Sequence, residues 1–381
     1  MTEERNNKEN FTILSIKAVK NNKQRKCQIC SLMGESMSEK VTLGENSRIE
    51  GEKVELGKSI RIGKSTLIKG KEISIEDNVV IGDNTIISAS KIHIGFGSKI
   101  EENCRITLAG ANTRFSIGDN CPVGHDSMII VPTFEAGDYV TLHNHLFVNG
   151  TKPCTIGSNV WVGQNCILNA ADTLTIGNGV GIGTYSCVWT HGGHGELLEG
   201  CKIFKRAPIV IQDDVWIVGS YNVISPGITI GEKAVILTGS VVTKNVPPRA
   251  CVAGNPAKNI TDKVSTYREI TVEEKFEMMK GFMKDFVDTF YKGSATVIEN
   301  GWRVREGEKS CEILFLEEAG NSIEDDEKPK VVFTEKNTAT RNYRNVSIFD
   351  LATKKYTKRR TEIEIKTIKF LLYSKARFLP L

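Results

Sequence analysis

A six-residue spacing of aliphatic side chains constrains this chain of 381 residues more than any other feature. Pairs of an aliphatic residue and a glycine return from Val41 to about Ala253. Successive pairs often lie six residues apart, as in Leu56-Gly57 with Ile62-Gly63, Ile117-Gly118 with Val123-Gly124, and Ile176-Gly177 with Ile182-Gly183. A period of six fits neither the 3.6-residue turn of an α-helix nor the alternation of an ordinary strand. It is typical of a parallel β-solenoid in which three six-residue faces make one triangular coil.

The same pattern predicts where each side chain points. The aliphatic residue should face the interior and stack on its equivalent in the next coil. The residue after it lies near a corner, where a positive φ or a tight backbone favours glycine or asparagine. Coils stack about 4.8 Å apart, so some two hundred residues at about eighteen per coil predict roughly eleven coils and a rod on the order of 50 Å long.

Composition excludes several classes of protein. The net charge of +4 is small for this length and gives no reason to expect nucleic-acid binding. No run of eighteen apolar residues is present, so no membrane-spanning helix is expected. The first residues lack the hydrophobic region of a secretory signal, which favours a cytoplasmic protein with reduced thiols. Cys27 and Cys30 form a lone C-x-x-C, without the second pair that a zinc site would need.

The repeat is interrupted once by a long insertion. Twenty-two residues, "WTHGGHGELLEGCKIFKRAPIV", separate Val188 from Ile211. A loop of this length in a solenoid is usually functional or mobile. It holds His191 and His194 among glycines, which suits a proton acceptor at the rod's surface, although solvated surface histidines are the simpler alternative.

The segment after this loop resembles a known family. It contains "VWIVGS", "PGITIG", "GSVVTKNVP" and "GNPAK" in that order, preceded by a loop histidine. In these motifs the chain is similar to the hexapeptide-repeat acyltransferases, and especially to those that acetylate sugars, antibiotics and surface polysaccharides. The resemblance covers about residues 41–262. It implies an all-β, left-handed parallel β-helix, a homotrimer, and acetyl transfer from acetyl-CoA to a hydroxyl or amine of a sugar or glycoconjugate, with no metal expected.

Acyl transfer from a thioester needs a base for the acceptor's proton and donors for the developing oxyanion. The resemblance places the base at His191 and oxyanion donors at the corner formed by Gly219 and Ser220. His194 and Glu196 are expected to contact the substrate, and either Glu196 or Glu199 could hold the imidazole of His191. "WIVGS" carries one residue more than the family's usual motif, so the six-residue register restarts at Val218.

The resemblance also implies binding residues for the two substrates. Acceptor contact is expected at Asn169. Coenzyme A is expected along the rod at the seam between two subunits, where its contacts would be Trp216, Gly219, Thr238, Gly239, Ser240, Lys244 and Lys258. The two lysines would reach its phosphates as point charges.

Two other functions compete with this interpretation. A trimeric prism can hold zinc between subunits, as γ-class carbonic anhydrases do, and His143 and His145 could supply ligands; however, the chain lacks the H-x-x-x-x-H spacing of that class. The rod could also be a scaffold or binding module without catalytic activity. The joint presence of His191, its loop and "GNPAK" favours the enzyme, because a scaffold does not need all three.

The regions outside the repeat predict two further parts. Residues 1–40 read as a polar tail with one short strand, "FTILSIKAV". Residues 263–381 read as a separate small α+β domain. Its helix should open at the capping box from Thr271 to Glu274 and stop at Gly293. Five strand-like segments should follow, the last of them "IEIKTIKFLLYS".

Overall fold

The computed structural model describes residues 12–15 and 41–381, apart from residues 204, 322, 325 and 374. It divides into two compact units between Thr266 and Tyr267, four residues after the boundary predicted from the sequence. None of the described helices is long and apolar enough to cross a membrane.

The first unit is a parallel β-helix with three faces, as the six-residue period predicts. In chain order each coil passes from face 3 to face 1 and then to face 2. Face 1 consists of Arg48–Gly51, Leu67–Lys69, Ile86–Ser88, Arg105–Thr107, Met128–Ile130, Phe147–Gly150, Ile167–Ala170, Cys187–Trp189, Val223–Ile224 and Val241–Val242. Face 2 consists of Lys53–Leu56, Glu72–Ile75, Lys91–Ile94, Arg114–Ile117, Thr133–Ala136, Cys154–Ile156, Leu174–Ile176, Ile209–Ile211 and Thr229–Ile230. Face 3 consists of Val41–Leu43, Ile60–Ile62, Val80–Ile81, Lys99–Ile100, Pro122–Val123, Thr141–Leu142, Trp161–Val162, Gly181–Ile182, Trp216–Ile217, Val235–Ile236 and Cys251–Ala253.

Antiparallel strands lie at both ends of the rod. Thr12–Ser15, within the strand expected near the N-terminus, pairs with Arg48–Gly51 on face 1. Lys258–Asn259 folds back on Cys251–Ala253 and ends face 3. Both ends of the described solenoid therefore carry a strand of reversed direction, where an open coil would otherwise present unpaired backbone groups.

Stacked aliphatic side chains fill the interior. Ile49, Ile68 and Ile87 occupy equivalent positions in successive strands of face 1, and each is fully buried. Each such side chain contributes about 1.5–3 kcal/mol of hydrophobic free energy when it leaves water. The inward direction predicted for the aliphatic position is confirmed.

Glycine and asparagine have different roles at the corner between faces 3 and 1, called here the 3/1 corner. At Gly63 a Cβ atom would lie 2.5 Å from the backbone nitrogen of Asp83 in the next coil, so close approach of the backbone requires glycine. The left-handed conformation comes two residues later. It is adopted in successive coils by Ser65, Asn84, Asn103, Asp126, His145, Asn165, Tyr185, Tyr221 and Gly239.

A column of small polar side chains closes this corner from the inside. Thr66, Thr85 and Cys104 each donate to a backbone carbonyl of the next coil, at 2.8, 2.9 and 3.2 Å. Burial raises the pKa of Cys104 and of Cys166 to about 11, so both are protonated thiols with a structural role. Cys27 and Cys30 lie outside the described residues.

The second unit is a small α+β domain. Its mixed seven-stranded sheet contains, in spatial order, Ala295–Ile298, Gly301–Glu306, Lys309–Ala319, Lys330–Asn337, Val346–Asp350, Lys355–Tyr356 and Leu379–Pro380. Helix α1, Val272–Phe290, begins at the predicted capping box, in which Thr271 and Glu274 cap each other. The prediction of a strand in "IEIKTIKFLLYS" was wrong. The segment forms helix α2, Glu362–Leu372, because Ile363, Ile368 and Leu371 recur at helical spacing and are buried together, with Thr361 as N-cap.

Candidate active site

The long insertion leaves the rod at the corner between faces 1 and 2, called here the 1/2 corner. It begins after Cys187–Trp189 and ends before Ile209–Ile211. A short antiparallel ladder closes its base, with His191 opposite Arg206. The coils continue on both sides of the insertion, since Val188 pairs with Ile224.

His191 is anchored by a buried amide. Its Nδ1 lies 2.9 Å from Oδ1 of Asn169, which is 2% exposed. Because a side-chain carbonyl oxygen can only accept, the neutral form of the ring carries its proton on Nδ1 and has its lone pair on Nε2. The ring is half-buried and lies edge-on to Trp189, at 6.1 Å between centroids.

Asn169 is itself held in one orientation. Its Oδ1 accepts from the hydroxyl of Thr190 at 2.9 Å and from the backbone nitrogen of Ala171 at 3.2 Å. Its Nδ2 donates to Oδ1 of Asn149, in the preceding strand of face 1, at 3.3 Å. From the sequence, Asn169 was expected to contact the acceptor substrate. In the structure its side chain is hydrogen-bonded to His191.

The rest of the loop is exposed. His194 and Glu196 are both solvent-exposed, and Glu196 accepts from the backbone nitrogen of Leu198 at 3.1 Å. A depression beside the ladder is lined by His194, Cys201, Lys202, Lys205 and Pro226, among other residues.

Sequence reasoning missed Arg206. Its guanidinium donates to the hydroxyl of Thr151 at 3.0 Å and to the carbonyl of Ala171, so it fastens the end of the loop beside Asn169. The only sequence signal was a basic pair just before the six-residue step resumes, which by itself does not distinguish this role from a solvated charge.

The extra residue of "WIVGS" is absorbed in the 3/1 corner. Gly219 and Tyr221 both have positive φ, at 70° and 61°, whereas the previous coil has one such residue, Tyr185. Ser220 lies between them with its hydroxyl 2.7 Å from that of Thr184. The backbone N–H groups of Gly219 and Ser220 make no hydrogen bond within the described residues. They are therefore available as oxyanion donors.

Other predicted binding residues continue this corner. Thr238 and Gly239 are exposed in the following coil, and the backbone nitrogen of Gly239 donates to the carbonyl of Ser220 at 3.0 Å. Ser240 is different: it is fully buried, and its hydroxyl donates to the carbonyl of Leu237. Ser240 supports the corner from inside and presents no side chain at the surface.

Trp216 and the two lysines lie at different places on the rod. The indole of Trp216 is 55% exposed on face 3. Lys258 is exposed in the strand that folds back along face 3. Lys244 is exposed at the 1/2 corner, two coils beyond the strand that leads to His191, or about 10 Å along the rod.

The predicted site is thus divided within one chain. His191, Asn169 and Lys244 lie at one edge of face 1, whereas Gly219, Ser220, Thr238 and Gly239 lie at its other edge. About six residues of extended chain separate the two edges, which corresponds to at most about 20 Å. We call the first group the histidine edge and the second the glycine edge.

His143 and His145, which the sequence analysis considered as zinc ligands, have different surroundings. His143 faces Trp161, with 5.0 Å between ring centroids, and burial lowers its pKa. His145 instead lies beside His125 and Asp126, one coil earlier.

Comparisons with known proteins agree with the fold and the motifs. A family model described as "Hexapeptide repeat of succinyl-transferase" matches residues 72–108 and 208–244. Galactoside O-acetyltransferase of Escherichia coli K12 is 36% identical over 153 residues, covering 38% of this chain and 70% of that protein. Chloramphenicol acetyltransferase of Agrobacterium fabrum is 38% identical over 109 residues, covering 24% of this chain and 52% of that protein. The chain spans about half the length of this second relative.

Among solved structures, the polySia specific acetyltransferase NeuO is similar over 65% of this chain and 99% of its own, with 17% identity and a TM-score of 0.37.

Proposed function

This chain belongs to the hexapeptide-repeat acyltransferases, and from that premise we propose that it transfers an acetyl group from acetyl-CoA to a hydroxyl, or an amine, of a sugar or glycoconjugate. The observation that carries the proposal is the 2.9 Å hydrogen bond between His191 and a buried amide oxygen. A solvated surface histidine has no need of such an anchor. The names of the relatives support acetyl as the group transferred and a sugar as acceptor.

His191 acts as the general base. With its proton held on Nδ1 by Asn169, Nε2 takes the proton of the acceptor hydroxyl as the hydroxyl oxygen attacks the thioester carbonyl. The imidazolium then returns this proton to the departing thiolate of coenzyme A. Such a base contributes roughly 10²–10⁴ in rate. His194 and Glu196, exposed in the same loop, are assigned to the acceptor.

The glycine edge binds the donor. The free N–H groups of Gly219 and Ser220 stabilise the negative charge that develops on the carbonyl oxygen. Thr238 and Gly239 line the arm of the donor, Trp216 flanks it, and Lys258 meets its phosphates. Ser240, which has no surface side chain, keeps the corner in shape.

A homotrimer would bring the two edges together. The base must reach the hydroxyl that attacks the thioester, and the oxyanion donors must reach the carbonyl oxygen of the same thioester, but face 1 lies between base and donors in one chain. In a ring of three rods, the histidine edge of one copy meets the glycine edge of the next, and three equal sites result. Lys244, on the histidine edge, then reaches the phosphates of coenzyme A across the seam.

Mixing two inactive variants tests this arrangement. His191→Ala removes the base, and Gly239→Tyr fills the glycine edge with a residue that its corner already accepts at Tyr185 and Tyr221. Each variant alone should be inactive. When the two are unfolded together and refolded at equal amounts, a site with an intact His191 and an intact Gly239 forms in every mixed trimer. About a quarter of all sites should then be active.

The outcomes separate the parts of the proposal. If the mixture stays inactive while size-exclusion chromatography shows mixed trimers, each site lies within one chain and the seam is wrong. If the unmodified protein acetylates none of a panel of sugars and amines and acetyl-CoA does not raise its Tm, the enzyme is refuted and the scaffold alternative stands.

We further propose a cytoplasmic location and a role in polysaccharide biosynthesis, supported by the free buried thiols and by the sugar-acting relative.

A further inference from the structure

Three metal-ligating side chains meet at the 3/1 corner, outside the proposed transfer site. His125, Asp126 and His145 each offer a ligand atom, and these atoms all lie within 4.8 Å of one another. The two imidazole rings lie edge to face, with 5.2 Å between centroids. Nδ1 of His125 lies 2.7 Å from Oδ2 of Asp126.

The backbone holds these groups rigidly. Asp126 and His145 both occupy the left-handed position of the corner, with φ of 57° and 58°. The backbone nitrogen of His145 donates to the carbonyl of His125 at 3.1 Å, which fixes one coil on the other. A site on two stacked coils therefore needs little ordering of the chain to bind an ion.

The surrounding charges leave the carboxylate available. The carboxylate of Asp126 is exposed to solvent, so an ion can reach it directly. Glu101 is already paired with Lys99 and accepts from the backbone nitrogen of His125. Within the described residues the side chain of His145 makes no hydrogen bond, and its ring lies edge to face with the ring of His125.

We propose that His125, Asp126 and His145 form a binding site for a divalent transition-metal ion. Two imidazole nitrogens and one carboxylate oxygen suit Zn²⁺, Ni²⁺ or Co²⁺, whereas Mg²⁺ and Ca²⁺ prefer oxygen ligands alone. The ion takes the place of the proton between Nδ1 of His125 and Asp126. The ring proton then lies on Nε2, where the side-chain oxygen of Asn144 accepts it once the amide turns over.

The ion has no part in acetyl transfer. His145 lies at the same corner as Tyr221 but three coils earlier, which is about 14 Å along the rod from the proposed oxyanion donors. The site therefore joins two coils, and its ion should stabilise the rod without changing the chemistry at His191.

The test is a direct titration of the full chain with Ni²⁺ and Zn²⁺ after dialysis against a chelator. A Cys27→Ser, Cys30→Ser background excludes the N-terminal thiols as ligands. Asp126→Asn and His145→Asn are the test variants, because Asn103 and Asn165 already occupy this corner in neighbouring coils and show that the backbone accepts asparagine. His194→Asn and His93→Asn are the matched controls.

We expect one ion per chain in the background protein, a higher Tm with metal, and affinity at least tenfold weaker in both test variants but not in the controls. Co²⁺ should give a visible absorption band that disappears in His145→Asn. Absence of binding in the background protein overturns the proposal. So does equal binding by His145→Asn, or loss of binding in His194→Asn, which would place the ion in the loop instead.

Discussion

Replacing Asn169 by leucine tests whether the buried amide orients the catalytic base. The substitution keeps the size of the side chain and removes the oxygen that receives His191, Thr190 and the backbone nitrogen of Ala171. The imidazole can then turn, and its proton can move to Nε2, the atom that must be free to accept. Acceptor turnover should fall, whereas the affinity for acetyl-CoA, bound at the glycine edge, should not change.

The magnitude follows from the hydrogen bonds that are lost. Removing the partner of a buried group costs about 1–3 kcal/mol, and applied to the orientation of His191 this corresponds to about 5- to 150-fold in kcat. Stability should fall by about 2–4 kcal/mol, since three donors to the same oxygen each lose about 1 kcal/mol. His191→Ala should cost more, about 10²–10⁴-fold, because it removes the base entirely.

The assay compares single-turnover rates of Asn169→Leu, His191→Ala and the double variant at a temperature where circular dichroism shows all of them folded. If Asn169 acts through His191, the second change adds nothing once His191 is absent. Asn169→Asp is the control, because it retains an acceptor for Nδ1. A folded Asn169→Leu protein with the kcat of the unmodified enzyme would refute the reasoning.

Three further predictions concern stability and reactivity. Gly183→Ala places a Cβ 1.8 Å from the carbonyl oxygen of Gly219 and should lower the free energy of unfolding by about 1–3 kcal/mol in urea titrations, whereas Gly192→Ala, with no atom within 4 Å, should change it little. Burial raises the pKa of Glu364, so the folded form binds its proton more tightly than the unfolded form does. The contribution of Glu364 to stability should therefore decrease as pH rises above about 4.3, and a Glu364→Gln protein with the same pH dependence of stability as the unmodified protein would contradict this. Burial raises the pKa of Cys121 and Cys154 to about 12, so mass spectrometry after iodoacetamide treatment should find both unmodified until the protein unfolds, while the partly exposed Cys201 reacts.

The solenoid could be predicted from the sequence because the six-residue period corresponds to one face of a coil. Every coil has the same packing requirement, so an aliphatic residue returns at the same position, as Ile49, Ile68 and Ile87 illustrate. The local spacing alone is therefore enough to place each of these residues in the interior. The capping box at Thr271 was equally local. In "IEIKTIKFLLYS" the sequence was misleading, because β-branched residues favour strands while their spacing allowed a helix that buries Ile363 and Leu371.

The candidate site was predictable only in part. Motifs identified His191 and the corner at Gly219, but they could not show which coil edges these residues occupy, since that depends on counting every corner residue between them. The partner of His191 could not be predicted either. A carboxylate of the same loop was considered, whereas the structure shows Asn169, which lies twenty-two residues away and one coil earlier. The His125, Asp126 and His145 cluster was missed because its members meet only when successive coils stack.

The insertion at residues 190–208 enters and leaves the rod at one corner while the strand pairs on either side, Val188 with Ile224 and Ile176 with Ile211, keep their register. Its length and composition can therefore change without moving any coil, since lengthening a loop whose ends are already fixed costs little free energy. The proposed donor-binding corner, in contrast, is hydrogen-bonded to its neighbouring coils, from Tyr221 to Thr184 and from Gly239 to Ser220. Exchanging this loop between rods of the same kind is thus a route by which acceptor preference could diverge, in nature or by grafting, while the machinery that handles the thioester stays constant.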